Sequence, residues 1–249
     1  MFTKQRLEKF FFAACVLLGL GGIIARCFYM PQSLSYDEMF TAATSQNAHS
    51  LSYIIKNFLM PDVHPPLFNF VMYLWGCIVP FKNEIIVRAP SFIFSISALA
   101  AAWFYFPFKE NKTQRIIFTT FMAVSSYPVV YASDARSYSL LLLLSTILTF
   151  FTVNTARKIY EGAEIKNKEF VIYFILSLLI SYTHYYGSLL AGCTTAVLMA
   201  YALYKKKYFF KISAAYIPVF ILISLWIAPQ IMFNQGHING GWWGIITML

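Results

Sequence analysis

Long apolar runs alternate with short polar joints along most of this chain, and the joints do more than the runs to set its architecture. Runs near 10–30, 89–108, 116–133 and 138–156 each approach the ~20 residues that a helix needs to cross hydrocarbon. Two shorter runs, near 170–184 and 186–204, meet at Thr183-His184-Tyr185-Tyr186-Gly187, and a last one covers about 212–229. A further apolar stretch, Pro65 to Pro80, is only about half a membrane long once its prolines are excluded.

The basic joints decide how to treat that stretch. If it does not span, Lys4, Arg6 and Lys9 share a face with three later groups. These are Lys109, Lys112 and Arg115; Arg157, Lys158, Lys166 and Lys168; and Lys205, Lys206, Lys207 and Lys211. Fourteen of the 19 basic residues then lie on one side, which the positive-inside rule makes the cytoplasm. If the stretch does span, the basic joints alternate sides. The expected fold is therefore an all-α polytopic membrane bundle of about seven spans, in one domain over 1–249. The first span is 10–30, a long outer loop covers 31–88, six further spans lie within 89–229, and 230–249 is an outer tail.

Composition supports a membrane protein. Hydrophobic residues make up 59% of the chain, charged residues 12%, and the mean hydropathy is +0.62, too much apolar surface for one water-soluble core. The net charge of +9 would point to nucleic acid in a soluble domain, but here the cations sit between apolar runs as topogenic signals, so no nucleic-acid partner is expected. Cys15, Cys27, Cys77 and Cys193 follow no metal-ligand spacing and read as small apolar residues. The first run is long for a signal peptide and lacks a small-residue cleavage site, so it reads as an uncleaved span. Arg26 argues against a lipoprotein reading at Cys27.

The outer loop carries its own helical pattern. Leu51, Ile54, Ile55, Phe58 and Leu59 share one face, with Ser50 as N-cap, Pro61 as the stop and Ser52, Lys56 and Asn57 opposite, which predicts an interfacial helix. Tyr36, Met39, Phe40 and Ala43 form a shorter stripe, with Asp37 and Glu38 in the first turn, where a helix amino terminus favours negative charge.

Ionisable groups gather at this outer face from separate segments: Asp37 with Glu38, His64, Arg88 at the start of the second span, and Asp134 with Arg136 after the third. Such groups suit transfer chemistry on an anionic lipid. A carboxylate takes the proton of an acceptor hydroxyl, and a cation holds the charge that grows on a leaving phosphate. Asp37 is the candidate base, since partial burial at an interface raises a carboxylate's pKa. Arg88 and Arg136 are candidate phosphate ligands, because a guanidinium binds phosphate oxygens bidentately. Structural readings stand beside these. The acidic pair can cap a helix, His64 can fix a turn, Arg88 can snorkel, and Asp134 can pair with Arg136. Trp242, Trp243 and the many tyrosines read as interface belt residues, and Thr183-His184-Tyr185-Tyr186 as a tight outer turn.

In order along the chain stand an acidic pair after the first span, Asp62-Val63-His64-Pro65-Pro66-Leu67, Arg88-Ala89-Pro90-Ser91 and Asp134-Ala135-Arg136-Ser137-Tyr138. This ordered set resembles the GT-C glycosyltransferases, and within them the protein O-mannosyltransferase and aminoarabinose-transferase group (family 39-like). The resemblance covers about residues 10–230. It implies sugar transfer on the outer face, with inversion, from a polyprenyl-phosphate-linked donor. Asp37 would be the catalytic carboxylate, with Glu38 assisting. His64, Arg88, Asp134, Arg136 and Tyr138 would bind substrate, with Arg88 near the lipid phosphate. The implied setting is a bacterial inner or plasma membrane, with membrane lipids and an unassigned acceptor as partners. No cofactor is demanded and no metal ligand is assigned, although a divalent metal is compatible with the acidic groups. Members of the group are usually longer, so the chain is expected to correspond to an amino-terminal portion or a shortened member. The alternative function is a non-catalytic protein that binds or transports a polyprenyl phosphate or another lipid.

Overall fold

The computed structural model describes residues 4–45, 50–62 and 64–235. Trp242, Trp243 and the rest of the expected tail after residue 235 lie outside them. Among the described residues the chain is all helical: α1 (Lys4–Phe28), α2 (Tyr36–Thr44), α3 (Leu51–Ile54) running on as a wider turn over Ile55–Leu59, α4 (Leu67–Ile78), α5 (Glu84–Phe104), α6 (Lys112–Val124), α7 (Ser126–Val130) tightening over Tyr131–Ser133, α8 (Tyr138–Glu161), α9 (Asn167–Thr183), α10 (Tyr185–Tyr204) and α11 (Phe209–Gln235).

Five of these helices, α1, α5, α8, α10 and α11, are long and apolar enough to cross a membrane, and α6 with α7 makes a sixth if the bent pair is one span. This is an integral membrane protein. Helix α9 has 17 residues, about 25 Å. Helix α4, at 12 residues or about 18 Å, is too short to cross, as its prolines predicted. The end of α1, the amino ends of α2 and α5 and the loop before α8 meet at one end of the bundle, and the lysine-rich joints after α8 and α10 meet at the other.

Packing follows the antiparallel order of the helices. One core joins α2, α4, α5 and α8 to α11 through Met72, Val87, Leu148, Tyr173, Ile180 and Leu198; a smaller one, with Ala98, Ala102 and Met122, joins α5 to α6. Helix α1 packs on α6, and the approach is close because Gly22 carries no side chain: a Cβ there would stand 2.2 Å from the Ala123 carbonyl oxygen.

The 58° bend between α6 and α7 has a local cause. Pro128 lacks an N–H and its ring conflicts with the carbonyl four residues back, so α6 stops at Val124. The carbonyls freed at that end are taken by Arg26, which is fully buried. Its guanidinium donates to Ala123 O at 2.5 Å, Met122 O at 3.1 Å and Gly22 O at 2.8 Å, and its Nε donates to Ser95 Oγ at 3.1 Å. No carboxylate pairs with it among the described residues. The negative end of α6 supplies the compensating charge.

Two loop expectations have different outcomes. A helix forms where the stripe of Leu51 to Leu59 places it, with Ser50 Oγ accepting from Tyr53 N–H at 3.3 Å and with Ile54 and Leu59 buried. Helix α2 is turned the other way. Tyr36 and Met39 are exposed, and Glu38, Thr41, Ala42 and Thr44 face inward. The reason is electrostatic: a carboxylate that pairs with a buried arginine fixes which side of a short helix faces the bundle, and apolar residues at an interface tolerate the other side.

Candidate functional site

The site grows from the amino end of α2. Ser35 and Glu38 make a reciprocal cap, in which Ser35 Oγ accepts from Glu38 N–H at 3.3 Å and Glu38 Oε2 accepts from Ser35 N–H at 2.8 Å. Glu38 also receives Arg88. That arginine lies one turn inside α5, whose start is fixed by Asn83 Oδ1 accepting from Ile86 N–H at 3.0 Å. Arg88 Nε donates to Glu38 Oε1 at 2.7 Å and Nη2 donates to Oε2 at 2.8 Å, a two-point pair that is 3% exposed on each residue.

The rest of the Arg88 fork is occupied too. Nη1 donates to the carbonyls of Tyr29 (3.1 Å), Met30 (3.0 Å) and Gln32 (2.5 Å), and Nη2 to that of Ser33 (3.1 Å). Each of the five guanidinium N–H groups therefore has an acceptor inside the protein. Glu38 Oε1 takes one more bond, from Ala135 N–H at 3.0 Å. Burial alone would push the Glu38 carboxyl up, but the bonds from Arg88, Ser35 and Ala135 outweigh it and hold the group below the usual carboxylate range.

Two of the expected site residues are thus engaged within the protein. Arg88 has no donor left for a lipid phosphate, and Glu38 accepts four bonds from the protein and has little capacity for a substrate. Together they tie the end of α1, the start of α2, α5 and the loop before α8 into one junction. Part of the capping reading holds for Glu38, and the signal was present as Ser35-Tyr36-Asp37-Glu38.

Asp37 stands on the other side of the same turn, exposed, and its carbonyl accepts from Thr41 Oγ1 at 3.1 Å. The burial expected for it falls on Asp134 instead. That carboxyl is partly buried, and burial followed by the charge of Glu38 raises it to about 6, against the opposing pull of Arg136 and Arg88; Asp37 adds a smaller upward push. The expected Asp134–Arg136 pair does not form within ion-pair distance. Their backbones turn tightly, with Arg136 N–H donating to Asp134 O at 2.7 Å, and this separates the side chains.

Arg136 is the open counterpart of Arg88. Its one hydrogen bond to a side chain among the described residues is to Thr41 Oγ1, at 3.5 Å. It lines a small cleft with Thr41, Asp62, His64, Phe68 and Ser137. His64 Nδ1 lies within hydrogen-bond distance of Asp62 Oδ1, at 3.1 Å, and its ring meets the edge of His184 at 5.5 Å. The Tyr138 ring lies between those of Tyr131 (4.3 Å) and His184 (6.0 Å). Burial, then the neighbouring His64 and Arg136, depress the pKa of His184. Its Nδ1 accepts from Tyr186 N–H at 3.2 Å.

Gln230 of α11 reaches across to this loop. It is buried, and its amide donates to the carbonyls of Leu59 (3.3 Å), Asp62 and His64 (3.3 Å), while its oxygen accepts from Tyr185 Oη. Sequence reasoning left out Thr41, Asp62, His184 and Gln230 as site residues. Gln230 had a signal, as an amide inside an apolar run, and Asp62 stood two residues from His64; Thr41 had none.

Among the described residues, no group of three or more His, Cys, Asp or Glu side chains is placed to hold a metal ion. No family model matches the chain, and no curated protein or solved structure matches it.

Proposed function

We propose that this chain is the membrane core of a glycosyltransferase that takes a sugar from a polyprenyl-phosphate donor at the long-loop face. In this reading the chain has seven spans in a bacterial plasma membrane, with α9 and the bent α6–α7 pair both crossing and the long-loop face outward. The observation that carries it is a cleft lined by His64 and Arg136, which come from distant parts of the chain, with Asp37, Asp134 and Tyr138 within electrostatic reach of Arg136 or of one another beside it. Charges at such a boundary are costly and mark function.

The roles follow from exposure and free donors. Asp37 accepts the acceptor hydroxyl's proton as its oxygen bonds to the anomeric carbon. The bond from that carbon to the phosphate oxygen breaks, and the electron pair leaves with the polyprenyl phosphate. Arg136, with donors to spare, is the phosphate ligand of the two arginines first considered for that role. Asp134 lies within electrostatic reach of Arg136 and keeps the substrate-binding role expected of it.

The reaction is read without knowing the acceptor, by release of polyprenyl phosphate from polyprenyl-phosphate sugars in membranes that carry the chain. Asp37→Asn is expected to slow release by about 10²-fold or more. Undiminished release from that variant removes the base assignment. A second reading, a non-catalytic binder of lipid phosphate, draws support from the locking of Glu38 and Arg88, which leaves fewer groups free for chemistry. Wild-type chain that retains polyprenyl phosphate but releases none from any donor decides for that reading.

A further inference from the structure

The joint between α10 and α11, at the lysine-rich end, combines four cations with a backbone that its residues rarely adopt. Lys207 N–H donates to Ala202 O at 2.9 Å and Lys206 N–H to Leu203 O at 3.1 Å, the paired bonds of a helix end closed by a left-handed residue. That residue is Lys206, at φ 52°, and Tyr208 follows at φ 69°; no other non-glycine residue among those described has positive φ. The end of α8 makes the same turn. There Ala163 N–H donates to Lys158 O at 2.9 Å and Gly162 N–H to Ile159 O at 3.2 Å, and the left-handed residue is Gly162, at φ 76°. Glycine takes this conformation without the Cβ conflict that lysine meets. One molecule thus builds the same turn twice, once with the residue that suits the backbone and once with a cation that does not. Backbone geometry gives no reason for lysine at 206, which leaves its charge.

The surroundings define what that charge faces. Leu203, Phe209 and Phe210 line an open groove of about 570 Å³ together with Lys206, Lys207 and Lys211, so it offers both apolar surface and cations. Phe210 is 85% exposed. Lys207 Nζ lies 4.9 Å from the Tyr208 ring and Lys205 Nζ 4.5 Å from that of Tyr160, and Lys211 Nζ donates to Asn167 Oδ1 at 2.9 Å. None of the four lysines is in an ion pair among the described residues. Of the acids on neighbouring helices, Glu161 is engaged by Arg157 and Glu169 by Lys158.

We propose that this groove holds the headgroup phosphate and the adjoining acyl chain of an anionic phospholipid from the leaflet on the lysine-rich face. An anionic lipid meets both features, with phosphate against the cations and hydrocarbon against the apolar surface, whereas a soluble anion meets only the first. The proposal stands apart from the transfer reading, because it concerns the opposite end of the bundle.

The test uses the full chain in detergent, offered phosphatidylglycerol and phosphatidylcholine in equal amounts, with retained lipid read by native mass spectrometry. Phosphatidylglycerol is expected to be retained in preference. Lys206→Gln with Lys207→Gln should lower its retention roughly 25-fold, about five-fold for each lysine. Lys206→Gly should lower retention about five-fold while raising the thermal midpoint, since it removes a cation and relieves the turn. This second variant keeps the test open if the double variant fails to fold. Equal retention of the two lipids, or wild-type retention of phosphatidylglycerol by either variant, overturns the proposal. Equal competition by glycerol phosphate overturns the lipid assignment in favour of a soluble anion.

Discussion

Arg88 and Arg136 stand at the same end of the bundle and look alike in the sequence, each beside an outer loop and near a carboxylate. The structure separates them. Arg88 spends every donor on Glu38 and four carbonyls and is 3% exposed, whereas Arg136 offers one long bond to Thr41 and faces a cleft. A fully satisfied cation is a strut, because taking a donor away strands several partners. A cation with donors to spare is a ligand in waiting. A basic residue beside a loop therefore says little about function until its acceptors are counted.

The largest expected effect breaks the strut. Arg88→Met strands Glu38 in a buried place and should destabilise the fold by about 3–5 kcal/mol, measured as a loss of thermal midpoint in detergent. The double variant with Glu38→Leu should recover much of that loss, since removing both charges also removes the desolvation that each suffers. A double variant as unstable as the single one shows that the carbonyl bonds, and not the ion pair, dominate the junction.

Arg26 sharpens the comparison, as a strut without an acid. Arg26→Leu frees the carbonyls at the end of α6 but also removes a buried charge that no carboxylate pairs. Its net cost is expected to be smaller than that of Arg88→Met, about 1–3 kcal/mol in the same thermal assay. An equal or larger loss shows that the helix end compensates the charge as well as a carboxylate does.

Arg136→Gln should move stability by less than about 1 kcal/mol, as expected where few contacts are lost. It should instead weaken retention of polyprenyl phosphate by about 10- to 100-fold, the usual worth of charged hydrogen bonds. A stability loss like that of Arg88→Met returns Arg136 to the structural class.

The smallest effect is a dependence on pH. Glu38 is held below the usual range, so its stabilisation is present above that range and is lost as pH falls through its folded value. Asp134 runs the other way. With a folded pKa of about 6 against an ordinary 3.8, it binds its proton more tightly when folded, so its contribution falls as pH rises from about 4 to about 6. Asp134→Asn should remove that downward slope from a plot of thermal midpoint against pH.

Much of the fold was legible because a bilayer imposes simple rules. Apolar runs and lysine joints located the helices, and prolines marked the short α4; the helices begin or end within about six residues of the expected runs, the largest offsets being at the amino end of α1 and the carboxy end of α11. The sequence also named the groups that cluster at one end. It did not reveal their states. Asp37 was expected to be partly buried and is exposed, while Asp134, which drew no such expectation, is the desolvated carboxyl. Helix α2 turned away from its apolar stripe because one ion pair outweighed the pattern of a nine-residue helix.

By itself, then, the sequence determined that this is a helical membrane protein and named several of the ionisable residues that meet at its long-loop end, since both follow from local composition and from the alternation of charge between spans. Only the tertiary structure decided which of those residues are struts and which are open. That depends on where each donor finds an acceptor, and the partners of Arg88 stand between 50 and 59 positions away along the chain. No local pattern encodes distances of that kind. They are set when α1, α2 and α5 pack together.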